Sequence, residues 1–410
     1  MVLIPPSHRA TTAQLQAIYP FVAEGGLGRR GAYIGRDLLG GAFAYDPWEL
    51  YRAGGITSPN ALVIGQIGRG KSALVKTFLW REMVFGRHAW VVDPKGEYGG
   101  LAAAAGVEPI RLAPGGPVRL NPLDGSDDQR RQAELLTSLA SASLGRQLLP
   151  AERTAAELAV AAVSQRTQTG RPPVIPAVVD ALLVPDRDVA ATVHTTPEVL
   201  AADGRQVALE LRRLVQGDLR GMFDGETTPG LDLAAPLVVL DLSAVYASAA
   251  LGLLMTCATA WLQAAFASGD KVRRIVVVDE AWAVLSDLAI ARWLRASAKL
   301  SRAHGVATWV VVHRLSDLTS AGDQGSEQVR LARGLLADVE TRVVYGQPPS
   351  EVEAARDLLG LSDTEAELLP RLPRGVGLWK VGNRTFLVEH RLGAAERAIV
   401  DIDARMGAGS

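Results

Sequence analysis

Apolar positions along this chain follow two periods in turn. Short apolar runs, several of them closing on an acidic or other polar residue, occupy 61–64, 89–93, 237–242, 275–280, 306–312 and 341–346. Stretches with apolar residues on one helical face lie among them, at 73–80, 288–302 and 350–359. Runs of the first kind read as strands buried on both faces, and stretches of the second kind as amphipathic helices. Their alternation predicts an α/β fold, a mostly parallel sheet with binding groups gathered at the carboxyl ends of its strands. Further strands at 377–381 and 385–388 would complete it.

Between 126 and 230 the pattern changes. Strand-like runs disappear, and helical periodicity takes over at 130–143, 151–165, 176–183 and 204–214, separated by polar joints containing proline. This predicts an all-helical insertion, closed by the tight loop Gly221-Met222-Phe223-Asp224-Gly225. Residues 1–56 predict a short helix at 13–19 and then a small β flap, a hairpin of 32–35 with 42–45 around Asp37 and Gly40-Gly41. The expected division is therefore 1–56 (flap and linker), 57–125 (first part of the core), 126–230 (insertion), 231–400 (second part of the core) and 401–410 (a frayed tail). Residues 243–267 carry no charge and are long enough to span a membrane. They are rich in Ala, Ser and Thr and sit between two strands, so a helix buried within the α/β core is expected instead.

The chemistry starts where the strand at 61–64 ends. Gly65, Gln66, Ile67, Gly68, Arg69, Gly70, Lys71 and Ser72 fit the pattern G-x-x-x-x-G-K-[ST], and Ala73 leads into the following helix. Strand, glycine-rich turn and helix form the context in which backbone N–H groups and a helix N-terminus cradle a polyphosphate. Lys71 would reach the β- and γ-phosphates of ATP, and Ser72 would offer its hydroxyl to Mg²⁺. The second element is Ile275-Val276-Val277-Val278-Asp279-Glu280, four apolar β-branched residues followed by two carboxylates. Asp279 is assigned to the Mg²⁺ shell, and Glu280 to the attacking water as base or orienter. Asp93 also ends an apolar strand and competes for the metal role; the carboxylate that directly follows Asp279 favours Asp279. Glu97 in Asp93-Pro94-Lys95-Gly96-Glu97-Tyr98 either orders water or Mg²⁺, or belongs to a turn that needs Asp-Pro and Gly for shape alone. His313 ends the strand 306–312, where it would sense the γ-phosphate or serve as a capping histidine.

Composition narrows the partners. The 410 residues are 48% hydrophobic and 21% charged with a formal net charge of −1, which excludes a global basic field for nucleic acid while leaving local patches open. Arg212-Arg213 and Arg273-Arg274 are the candidates for such a patch, with solvated surface charge as the plainer account. Lysine is scarce beside arginine, which gives weight to Lys71 and Lys95. Cys257 is the sole cysteine, so no disulfide framework or zinc cluster is expected within one chain, in keeping with a reducing cytoplasm. The start, Met1 to Pro6, does not read as a signal peptide.

Taken in order, GQIGRGKS, WVVDPKGEY, the helical stretch, GMFDG, VVVDEAW and SRAHG…HRLSDL resemble the motor domain of the conjugation and type IV secretion ATPases, the TraC-like branch of the HerA/FtsK superfamily. The resemblance covers about residues 57–395. It implies a RecA-like P-loop core with an all-α insertion, a self-associating ring of six, and ATP hydrolysis that powers pilus assembly or substrate export. Implied partners are inner-membrane channel components and a DNA or protein cargo, with the chain cytoplasmic and held at the membrane face through partners only. His313 stands where relatives often have Gln, and relatives usually carry a large N-terminal domain ahead of the loop. The resemblance offers Arg302 and Arg342 as fingers reaching a neighbour's nucleotide; an ordinary surface ion pair accounts for either equally well. Two other functions stay open at this point: a DNA translocase of the same superfamily, and an ATP-binding scaffold that does not hydrolyse.

Overall fold

The computed structural model of the chain describes residues 26–124, 128–167, 171–217, 219–232, 235–246, 272–281, 305–314 and 339–400, with single positions 248, 251, 254, 255, 257 and 334 besides. The expected helices at 13–19 and 288–302, most of 243–267, and the tail 401–410 lie outside the described residues.

The strands are β1 (Ala32–Asp37), β2 (Ala42–Tyr45), β3 (Ala61–Ile64), β4 (His88–Asp93), β5 (Ile110–Arg111), β6 (Leu237–Asp241), β7 (Arg274–Val278), β8 (Val306–Val312), β9 (Thr341–Val344), β10 (Val376–Val381) and β11 (Arg384–His390). They form one sheet in the order β2-β1-β11-β10-β9-β3-β8-β7-β4-β6-β5. From β9 to β5 every neighbouring pair is parallel, and from β9 back to β2 every pair is antiparallel. This is the expected mostly parallel sheet of a RecA-like P-loop α/β fold. The N-terminal hairpin forms where expected, between β1 and β2. It is no separate flap, because β1 pairs with β11 and β1–β2 forms the antiparallel edge of the same sheet. The Tyr45 hydroxyl donates to Thr341 Oγ1 at 2.9 Å, fastening the hairpin to β9.

The unbroken apolar runs have a direct cause. Side chains alternate across a strand, and here both faces are covered. Leu62, Ile64, Val92 and Val278 point into one apolar cluster, and Val63, Val91 and Val277 into the other. On the second face lies α2 (Lys71–Met83), whose Phe78 stacks on Trp309 of β8 with ring centroids 4.4 Å apart. The first face merges with the apolar side of five helices: α4 (Gln129–Leu144), α5 (Pro150–Arg166), α6 (Ile175–Leu183), α7 (Arg187–Thr192) and α8 (Pro197–Gln216). Proline opens the first turn of α5, α6 and α8, where its missing N–H costs nothing. The loop after them closes as expected. Asp224 accepts from Gly221 N at 3.0 Å and from Arg119 Nε at 2.9 Å. Short helices complete the described residues: α1 (Pro47–Arg52), α3 (Gly99–Ala104), α9 (Val352–Leu359), α10 (Asp363–Leu368) and α11 (Arg397–Val400). None of the described helices is long and apolar enough to cross a membrane.

His390 ends β11 against α2, with Nε2 2.9 Å from Thr77 Oγ1. Thr77 already donates to Ala73 O, so the imidazole is the donor. Burial, reinforced by the Arg81 charge, lowers the His390 pKa from 6.5 to about 4. Between those values the unfolded chain binds a proton that the folded chain refuses, so this group's contribution to stability is lost as pH falls through the window. Urea denaturation at about pH 7 and about pH 4.5 should show His390→Gln less acid-sensitive than the parent, by up to about 3 kcal/mol. Equal acid sensitivity in both would remove His390 from the account.

Candidate functional site

The loop after β3 is held by close approach to the end of β9 and by backbone contacts. A Cβ on Gly65 would lie 2.5 Å from Cβ of Tyr345, so only glycine lets the chain pass the end of β9. Gln66 N donates to Gly346 O at 3.2 Å, and Gly375 N donates to Arg69 O at 3.0 Å. Gly70 takes φ +113° at the N-cap of α2 and supplies no side-chain cap, which leaves the first-turn N–H groups available to an anion. Lys71 is 4% exposed, and its ammonium donates to the carbonyls of Gly65 and Gln66. Burial lowers its pKa to about 8, against the pull of Asp279, Glu280 and Glu97. Ser72 is half-buried in the first turn of α2, followed by Ala73, and Ile67 stands exposed at the loop tip.

The acidic pair ends β7, with β8 lying between it and β3. Asp279 accepts from Glu280 N at 2.9 Å through Oδ1 and from the Tyr98 hydroxyl at 3.1 Å through Oδ2. Burial first, then the Glu280 charge, raises the Asp279 pKa. Glu280 has φ +50°, a left-handed conformation that costs a glutamate about 1 kcal/mol or more and turns the chain sharply off the strand. Its Oε1 meets Lys95 Nζ at 2.5 Å and His313 Nε2 at 2.5 Å. His313 follows β8, the strand between loop and acidic pair, so the structure brings together Lys71, Asp279, Glu280 and His313.

Asp93, the rival carboxylate, serves a turn. Its Oδ1 accepts from the backbone N–H of Lys95 and Glu97 at 3.2 and 3.1 Å, and its Oδ2 from that of Tyr98 at 2.9 Å. Burial raises its pKa to about 6. This capped turn aims Lys95 and Tyr98 at the acidic pair and brings Glu97 close enough to act on Lys71 and Asp279. Lys95 and Tyr98 had no assigned part in the sequence reading. The clue available there was their place in the turn after a strand parallel to the acidic one.

Other candidates lie elsewhere. Arg302 is outside the described residues. Arg342 sits within β9 and donates to Leu359 O at 2.9 Å, at the end of α9, so it is not among the groups gathered here. Arg213 makes an exposed ion pair with Glu210, and Arg274 is buried over the Trp90 ring.

The site has the donors that a magnesium nucleotide needs. Ser72 and Asp279 supply a hydroxyl and a carboxylate, the oxygen set a hard divalent cation takes. No group of three or more His, Cys, Asp or Glu is arranged to hold a metal among the described residues.

No family model and no curated protein sequence matches this chain. Solved structures do. VirB4 of Thermoanaerobacter pseudethanolicus superposes with a TM-score of 0.73 over 91% of this chain and 100% of that one, at 22% identity. The unbound bacterial conjugative coupling protein TrwB superposes with a TM-score of 0.56 over 82% of this chain and 85% of that one, at 16% identity. TrwB in complex with ADP and Mg²⁺ gives 0.56 over the same shares, at 15% identity. At these identities the likeness establishes a shared fold.

Gly65→Ala forces its methyl into Tyr345 and must displace the loop. Affinity for Mg-ADP, measured by isothermal titration, should fall at least about tenfold while the thermal transition shows a folded protein. Unchanged affinity would show that the loop tolerates the shift.

Proposed function

We propose that this chain is an ATP-hydrolysing motor of a conjugation or type IV secretion system. One observation carries the reading. A phosphate loop, an acidic pair and a polar residue on the strand between them meet at one sheet edge, in a fold shared with VirB4 and with the conjugative coupling protein TrwB. TrwB's complex with ADP and Mg²⁺ supports nucleotide use in this fold, and the ordered motifs from GQIGRGKS to HRLSDL support the conjugation branch.

Phosphoryl transfer to water needs positioned charge rather than a covalent intermediate. The loop N–H groups and Lys71 hold the β- and γ-phosphates. For Lys71 this means exchanging the Gly65 and Gln66 carbonyls for phosphate oxygens, a stronger, charge-assisted partner. Ser72 and Asp279 would hold Mg²⁺, whose charge would offset that building on the phosphate oxygens. Glu280 orients the attacking water, and His313, hydrogen-bonded to Glu280, fixes that carboxylate and faces the γ-phosphate. Glu97 tunes the field as a further carboxylate, and Arg302 or Arg342 would complete the site from a neighbouring subunit in a ring of six. Residues 126–230 form the helical insertion, and docking to channel components places the motor at the cytoplasmic membrane face, acting on DNA or protein.

Lys71→Ala should abolish nucleotide binding, and Glu280→Gln should keep binding but lower Mg-ATP turnover by at least about a hundredfold. Phosphate release and nucleotide titration on both variants check this, with particle mass measured with and without an ATP analogue. Turnover in the parent that Glu280→Gln does not reduce would refute the assignment. Parent protein that binds ATP without hydrolysing it, alone or assembled, would instead identify a scaffold.

A further inference from the structure

One carboxylate oxygen of Glu280, Oε1, is engaged by two side-chain donors at once in the arrangement described. Both the Lys95 ammonium and the His313 imidazole lie 2.5 Å from its Oε1, and the Glu280 side chain is only 4% exposed. The two donors differ in what can move them. His313 follows directly from a buried strand of the sheet. Lys95 hangs from a turn whose backbone is pinned by Asp93, but its side chain is 28% exposed and four methylenes long. Its ammonium can therefore leave Glu280 while the turn stays in place.

The charge balance says where it would go. Lys95 is close enough to Lys71 for its charge to oppose protonation of Lys71, with Asp279, Glu280 and Glu97 pulling the other way, and Glu280 and Glu97 favour the charged form of Lys95. A triphosphate seated on Lys71 brings its terminal phosphate to the same space with up to two negative charges, a better partner for Lys95 than one carboxylate. A diphosphate lacks that terminal group.

We propose that Lys95 is a γ-phosphate-sensing residue: it pairs with Glu280 until the terminal phosphate of a bound triphosphate draws it away, which releases Glu280 to orient the water. This rests on the ATPase reading and deepens it. Lys95 then distinguishes ATP from ADP within its own subunit, and loss of the γ-phosphate returns it to Glu280 and locks the site. Its role is fixed by a permanent positive charge and by reach, and it touches the reacting phosphate only in the triphosphate state.

The test is a pair of binding constants. Competition of fluorescent ADP by Mg-ADP and by Mg-AMPPNP gives the preference for triphosphate over diphosphate without any turnover. Lys95→Met, close in shape and uncharged, should lose about tenfold or more in AMPPNP affinity while ADP affinity stays within about twofold. Glu280→Gln removes the charge that retains Lys95 and should move the preference the other way, toward AMPPNP. A parental preference in Lys95→Met, or an equal fall for both ligands, would overturn the sensing role; the second result would make Lys95 a general anchor of the loop. Should Lys95→Met fail to fold, Glu280→Gln decides, and an unchanged preference there overturns the proposal. Parent protein that binds neither nucleotide would sink the ATPase reading instead.

Discussion

A parallel sheet covered on both faces leaves little room for polar side chains along the middle of its strands. The apolar residues of β3, β4, β7 and β8 face one apolar cluster or the other, and an unpaired polar group there would carry a desolvation cost of several kcal/mol. Polar residues therefore gather at the strand ends, with Thr308 inside β8 as an exception. Parallel strands put their carboxyl ends on one edge, so Gly65, Asp93, Asp279 and His313 come out together although they are far apart in the chain. The site follows from this burial constraint.

That edge is crowded, and the crowding is resolved by backbone geometry. Gly65 passes Tyr345 where no other residue could, and Glu280 takes a left-handed turn directly after Asp279. The turn sets adjacent carboxylates to separate work. Asp279 faces Tyr98, and Glu280 faces Lys95 and His313. A continuing strand would have sent the second side chain to the opposite face of the sheet.

Charge is the third constraint. Several ionisable groups share a volume with little water, and a buried charge is tolerated only as part of a matched set. Here cations and carboxylates interleave: Lys71 feels Asp279, Glu280 and Glu97, and Lys95 holds Glu280. Asp93 avoids the problem by spending its oxygens on three backbone N–H groups. Such a set is balanced closely enough that one multiply charged ligand would rearrange its pairs, and the ligand could thereby select which carboxylate is free to act.

Read alone, the residue order determined the elements whose causes are local. Apolar runs marked strands buried on both faces, proline-opened helices marked the stretch after 126, and the glycine spacing around Lys71 marked the phosphate loop, because periodicity and backbone sterics act over a few residues. It also singled out Asp279, Glu280 and His313, since a polar residue ending a buried strand is visible in one dimension. Tertiary structure decided what depends on pairing across long stretches of chain. It set β8 between the loop strand and the acidic strand, and it joined the N-terminal hairpin to β11 rather than leaving it as a flap. It also delivered Lys95 and Tyr98 from one turn to two different carboxylates on another strand. Strand order arises from burial summed over the whole sheet, and no local pattern encodes which distant end will lie beside which.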